Sequence, residues 1–157
     1  MRLITLTQPD DFDAWRDAAR VLAADNVPPD DVVWQLGDDA TDLFAPHAAP
    51  TPAAPATVRP FSVPRAFIDL ARKVILANVP ERFSLLYTLL FRLRREPKLM
   101  DDQADPLVRR LERLAKEVRR DIHKMRAFLR FREVEDADGP RFVAWFEPEH
   151  HIVRANA

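Results

Sequence analysis

An aspartate–proline pair, Asp105-Pro106, opens the stretch that most narrows what this chain can become. Aspartate offers an acceptor to the first helical N–H groups, and proline at the first position gives up a donor the helix does not use there. Behind the pair, Leu107, Leu111, Leu114, Val118, Ile122 and Met125 recur at helical intervals. At about 100° per residue they fall within a stripe about 80° wide, so a long amphipathic helix is predicted. The segments Phe128 to Glu135 and Arg141 to Phe146 follow as strands, with Asp136-Ala137-Asp138-Gly139 supplying the turn. The fold class this implies is α+β: a helical layer containing one long basic helix, with a small antiparallel sheet.

Upstream, Leu3 to Leu6 reads as a strand, followed by a helix opening at Asp10 or Asp11. Phe12, Trp15, Ala19 and Leu22 give that helix one apolar face, and Asn26 with Pro28-Pro29 stops it. Val32 to Leu36, ended by Gly37, reads as a second strand. Residues 45–60 then hold five prolines among alanines and threonines, the composition of a semi-rigid linker. His47 lies inside it. Beyond, Ser62 or Val63 is expected to cap a helix with Pro64 in its first turn and Phe67, Leu70, Ala71 and Val74 on one side. Pro80 is expected to open another, apolar nearly all round and therefore central. Three parts follow: an acidic segment 1–44, a linker 45–60, and a helical and hairpin domain 61–157.

Charge sharpens this division. The formal net charge is only −1, yet residues 107–132 hold ten Lys/Arg against three Asp/Glu. Residues 59–98 hold nine basic against three acidic side chains, while residues 1–58 hold three against ten. Two basic segments are thus hidden between acidic flanks. Arg109, Arg113, Lys116, Arg120 and Lys124 lie opposite the apolar stripe, with Arg119, His123 and Arg126 on the same helix. Arg130 and Arg132 carry the charge into the hairpin, beside Phe128, Phe131, Phe142, Trp145 and Phe146. These ten positions, Arg109 through Arg132, are the candidate nucleic-acid-binding residues. Glu117 is the only acidic residue that sits well among these cations, and a face so lacking in alternating signs suits phosphate or an acidic protein surface. For the hairpin, aromatics packed into the core with arginines in solvent is the favoured arrangement, and base stacking on a single strand is the other.

What is missing limits the chemistry. The chain has no cysteine, hence no disulfide, thiolate zinc site or cysteine-held iron–sulfur cluster within it. With Gly37 and Gly139 alone, neither a Walker loop nor a dinucleotide-binding glycine fingerprint can be written. Ser62 and Ser84 stand in no nucleophile-elbow context. Asp121, His123, Glu147 and His150 are the weak catalytic candidates. Asp121 and His123 are two apart and face different ways on a helix. Asp121 flanks the apolar stripe, where pairing with a buried basic group is expected. Glu147 and His151 would stand at i, i+4 if a helix began there, a workable metal-ligand spacing without an apparent third ligand. Capping of such a helix by Glu147 or Glu149 is the plainer expectation. No cofactor and no metal is expected. Met1 to Thr5 lacks a signal-peptide core and no apolar run reaches membrane length, so a cytoplasmic protein is expected.

Several runs are also familiar as a set: Val63-Pro64-Arg65-Ala66-Phe67, Pro80-Glu81-Arg82-Phe83 with Leu85-Leu86-Tyr87, Val118-Arg119-Arg120-Asp121-Ile122-His123-Lys124-Met125, Arg130-Phe131-Arg132-Glu133 and Phe142-Val143-Ala144-Trp145-Phe146-Glu147-Pro148-Glu149-His150. Together they resemble domain of unknown function 4130, from about Val58 to the C-terminus, the run around His123 being the most specific. The resemblance implies a role in DNA metabolism. It also implies association with a radical-SAM protein encoded alongside, or fusion ahead of an X-type uracil-DNA glycosylase. Members of that family continue past the equivalent of His150, so the chain is expected to be a fragment of a longer domain. The resemblance implies no catalytic residue here, since the linked glycosylase holds a cysteine-bound cluster. The expected function is a DNA-repair accessory module that binds phosphates, or alternatively a docking module for the partner.

Overall fold

The computed structural model describes residues 1–37 and 61–156. The proline-rich stretch 45–60 and His47 lie outside the described residues. The element order is β1 (Arg2–Leu6), α1 (Phe12–Ala24), β2 (Val32–Leu36), α2 (Arg65–Val74), α3 (Arg82–Leu93), α4 (Pro106–Phe128), β3 (Arg132–Asp136) and β4 (Gly139–Val143). The class is α+β.

β1 and β2 pair in parallel, Arg2 opposite Val32 through Leu6 opposite Leu36. Parallel neighbours need a crossover, and α1 provides it. Asp11 caps α1 by accepting from the Ala14 N–H at 3.0 Å. After the helix, Asn26 takes a positive φ of 55°, a conformation asparagine tolerates better than most residues. The chain can then turn sharply into Val27 and Pro28.

α3 is the central helix, packed against α1, α2, α4 and β2. Phe83, Leu86, Tyr87, Leu89, Leu90 and Leu93 are buried, while Leu85 and Phe91 are half-buried and Ser84 is exposed. It begins at Arg82 rather than Pro80. α2 begins at Arg65 after Pro64, with no side-chain cap from Ser62 or Val63. One hydrophobic core runs from Ile4 through Phe67, Leu86 and Leu111 to Ile152. The acidic first segment is stitched into it by aromatics. Trp15 lies 6.4 Å from Phe67 between ring centres, and Trp34 lies 6.0 Å from Tyr87. The polar tips of Trp15 and Tyr87 are used as well, whereas Trp34 Nε1 is buried without a partner among the described residues. Trp15 Nε1 donates to the Phe83 carbonyl at 3.3 Å, and the Tyr87 hydroxyl to the Val27 carbonyl at 2.7 Å. Burial pushes the Tyr87 phenol up to about 12.

Asp105 and Pro106 start α4 as the sequence requires. Asp105 accepts from the N–H groups of Leu107 and Val108 and from Arg92 at 2.7 Å. The arginine and these two amides hold its carboxyl below the usual carboxylate range. Val108, Leu111, Leu114, Ala115, Val118 and Ile122 are buried against the core, and Asp121 is buried with them.

Candidate nucleic-acid interface

The outer surface of α4 is built by subtraction. Every buried position is apolar except Asp121, and the positions left over include eight Lys/Arg against Glu112 and Glu117. Arg109, Arg113, Lys116, Arg119, Arg120, His123 and Lys124 are all exposed. Among the described residues none of the six cations in that group forms an ion pair, although Arg110 meets Glu81 at 3.3 Å. Lys116, Arg120, Lys124 and Phe128 follow one another at intervals of four, which places them on one ridge about 18 Å long. Arg109 and Arg113 lie beside that ridge.

The remaining expected contacts are divided differently. Arg126 is exposed but its Nε donates to Asn156 Oδ1 at 2.8 Å. Arg130 folds back so that one guanidinium nitrogen donates to the carbonyls of Ala127 and Leu129, at 2.8 and 3.0 Å. Those carbonyls belong to the unsatisfied end of α4, so Arg130 is a helix cap before it is anything else. Arg132 is exposed on β3 and unpaired among the described residues. Arg141, opposite Val134, is held by Asp136 at 3.0 Å.

The hairpin departs from its expected role. α4 continues through Phe128, so the first strand begins only at Arg132, and the second runs Gly139–Val143 instead of Arg141–Phe146. The two-residue turn, Ala137-Asp138, depends on Gly139 at φ 114°, where a side chain would be strained. All of β3 and β4 except Gly139 is exposed. The aromatics expected in the core are outside it: Phe128 is 69% exposed, Phe131 65%, Phe142 68% and Trp145 84%. Patterning placed them inside because alternating aromatics usually cover a sheet on a core. Among the described residues no second layer lies behind the strands.

A second concentration of polar groups lies in a cleft of about 350 Å³ lined by Asp10, Asn78, Glu149, His150, His151 and Arg154. From Trp145 to Val153 the chain is irregular, before a 3-10 turn at Arg154–Asn156, so no helix sets Glu147 beside His151 and none is capped by Glu147 or Glu149. Asp121 and His150 do meet, but through the backbone: the His150 N–H donates to Asp121 Oδ2 at 2.9 Å. The buried carboxylate therefore pairs with an amide instead of the basic group expected. His150 Nδ1 accepts from the Asn78 N–H at 3.0 Å, which leaves the hydrogen of the neutral ring on Nε2. The His151 N–H donates to the Leu76 carbonyl at 2.8 Å. His123 points away, exposed on α4, and Glu147 is exposed. The four weak catalytic candidates thus do not converge.

Sequence reasoning missed the residue behind this cleft. Arg82, 3% exposed, donates to the carbonyls of Pro9, Ile75 and Val79 at 2.7, 2.9 and 3.0 Å. Burial lowers its guanidinium to about 10, opposed by Asp10. Asp10 in turn accepts from Arg154 at 2.6 Å. Burial, and then the charge of Arg82, also push His151 below its ordinary value. The signal available was Pro80-Glu81-Arg82-Phe83, an arginine at the head of a largely apolar helix.

With this geometry in place, the comparison with known families has a location. Residues 80–157 match the family model described as Domain of unknown function, DUF4130. The chain carries a DUF4130 domain. The match takes in α3, α4, the hairpin and the His150 segment, and starts later than Val58, leaving α2 outside. No match was found among curated proteins, nor among solved structures. The DUF4130 region therefore contains both the cation ridge and the exposed hairpin. Among the described residues no helix is long and apolar enough to cross a membrane.

Proposed function

We propose that this chain is an accessory module of DNA metabolism that holds nucleic-acid phosphates on the outer face of α4. Its partner in this reading is a uracil-DNA glycosylase domain or a radical-SAM repair protein, which supplies the chemistry. The observation that carries the reading is the row Arg109, Arg113, Lys116, Arg120 and Lys124: exposed and without ion pairs among the described residues, outnumbering the exposed Glu112 and Glu117 beside it. Uncompensated cations along about 22 Å of helix repel one another, and a polyanion relieves that repulsion. Counterion release then makes binding steeply salt-dependent.

Fluorescence anisotropy with labelled oligonucleotides over a salt series tests it. Log K is expected to fall linearly with log salt, by about 0.7–0.9 per phosphate contacted. Changing Arg113, Lys116, Arg120 and Lys124 to Glu is expected to abolish that binding. Affinity undiminished by the change rejects the proposal. The exposed aromatics of the hairpin favour a second reading, a docking surface for the protein partner without direct DNA contact. Retention of the partner at low salt by a chain that binds no oligonucleotide would select it.

A further inference from the structure

We infer that the nucleic acid taken by this chain is single-stranded, and that the hairpin after α4 is a stacking platform for its bases. The inference rests on the phosphate-binding reading above and adds strandedness to it. The ridge of Lys116, Arg120 and Lys124 does not end in a polar cap. Its next position is Phe128, at the same interval of four and 69% exposed. Three residues on comes Phe131, and across the hairpin come Phe142 and Trp145. A backbone held along the cations is thereby led past Phe128 and Phe131 to Trp145, rings exposed to solvent, while Phe142 lies on the other side of the hairpin. In a duplex the bases are stacked on one another and have no face to offer; in a single strand each base has one.

The two sides of the hairpin are unequal, which orients the platform. Pairing puts Arg132 beside Val143 and Val134 beside Arg141, and alternation puts those four on one side with Asp136, which holds Arg141, and away from Glu133 and Glu135. Glu133 lies beside Phe142 on the other. On that side Arg132, unpaired among the described residues, continues the charge of α4, and Trp145 lies two residues beyond Val143. Phe128 and Phe131 sit at the junction between helix and strand.

The test uses the whole chain and three probes of equal length: a single-stranded oligothymidine, a duplex, and an abasic deoxyribose-phosphate strand that keeps the phosphates without the bases. Titration is followed by anisotropy and by intrinsic fluorescence, to which Trp145 contributes the exposed indole while Trp15 is buried. The single strand is expected to bind at least tenfold more tightly than the abasic strand and the duplex, and to quench the exposed indole. Phe131→Ala with Trp145→Ala should remove most of that tenfold advantage and leave the salt slope unchanged. Because those substitutions can disturb a small hairpin, Trp145→Phe is the companion variant, expected to keep the preference. Equal affinity for all three probes, with a steep salt slope, overturns the stacking inference and leaves phosphate binding standing. No binding to any probe at low salt overturns both. Unchanged single-strand affinity in the alanine variant, accompanied by loss of self-association or of a protein partner, overturns it in favour of a protein occupant.

Discussion

Asp121 Oδ2 accepts the backbone N–H of His150 at 2.9 Å, across 29 residues of sequence. A buried carboxylate on the core side of α4 is thus the anchor of the irregular segment that follows the hairpin. Asp121→Ala leaves that amide without its acceptor, and a loss of about 1–3 kcal/mol is expected in urea unfolding. Asp121→Asn keeps an acceptor oxygen and should lose less. If Asp121→Ala leaves both stability and amide exchange at His150 unchanged, the anchor is elsewhere.

Arg82 is expected to be more sensitive. Replacing it by methionine keeps much of the apolar stem but strands three carbonyls, those of Pro9, Ile75 and Val79. At about 1 kcal/mol per bond the cost is roughly 3 kcal/mol, with Arg82→Lys intermediate because an ammonium cannot span the same three acceptors. Thermal melts of the two variants decide the order.

His151 sets a pH dependence of known sign. Its folded value lies below the ordinary 6.5, first through burial and then through the charge of Arg82, with Asp10 opposing and His150 adding to the lowering. Protonation therefore favours the unfolded chain. The contribution is fully present above pH 6.5 and is lost as pH falls through the folded value. His151→Gln should flatten the stability profile in that window, as measured by urea midpoints at successive pH values.

Asp105 acts in a lower window. Its carboxyl is held down chiefly by Arg92, so its stabilisation persists at neutral pH and is lost only as pH falls through a value below the usual carboxylate range. Asp105→Ala should cost about 1–2 kcal/mol at pH 7 by removing the cap of α4, and progressively less in strong acid.

The ridge itself should be slightly destabilising. Lys116–Arg120 and Arg120–Lys124 are like-charged pairs at i, i+4, each unfavourable by about 0.2–0.5 kcal/mol. Changing all three to glutamine is expected to raise stability at low salt, with the gain vanishing in about 1 M salt where screening is short-ranged. A gain that survives high salt would assign it to something other than repulsion.

Where local chemistry decides, the sequence was readable. Asp11 and Asp105 mark helix starts, Asn26 marks a stop, and Asp136 to Gly139 mark the turn, because each acts within a few residues. The stripe of α4 was readable too. The parallel pairing of β1 with β2 was not drawn, though the thirteen-residue helix between them is the connection such a pair needs. The exposed aromatics were misjudged for a more basic reason. Alternation tells which residues share a side of a strand, and only the layers around it tell whether that side is covered. Contacts such as Asp121 with His150, or Arg82 with Pro9, join distant segments and leave no local pattern at all.

Arg130 has an effect that reaches past its two hydrogen bonds. A helix as long as α4 ends in a cluster of carbonyl oxygens carrying about half a negative charge, and that end faces the hairpin. A phosphodiester chain crossing from helix to strand would meet this negative end midway. With its guanidinium laid over the Ala127 and Leu129 carbonyls, Arg130 turns that point from repulsive to neutral or better. Arg130 thereby sets a positive charge at the junction between the cations of α4 and Arg132 on the strand.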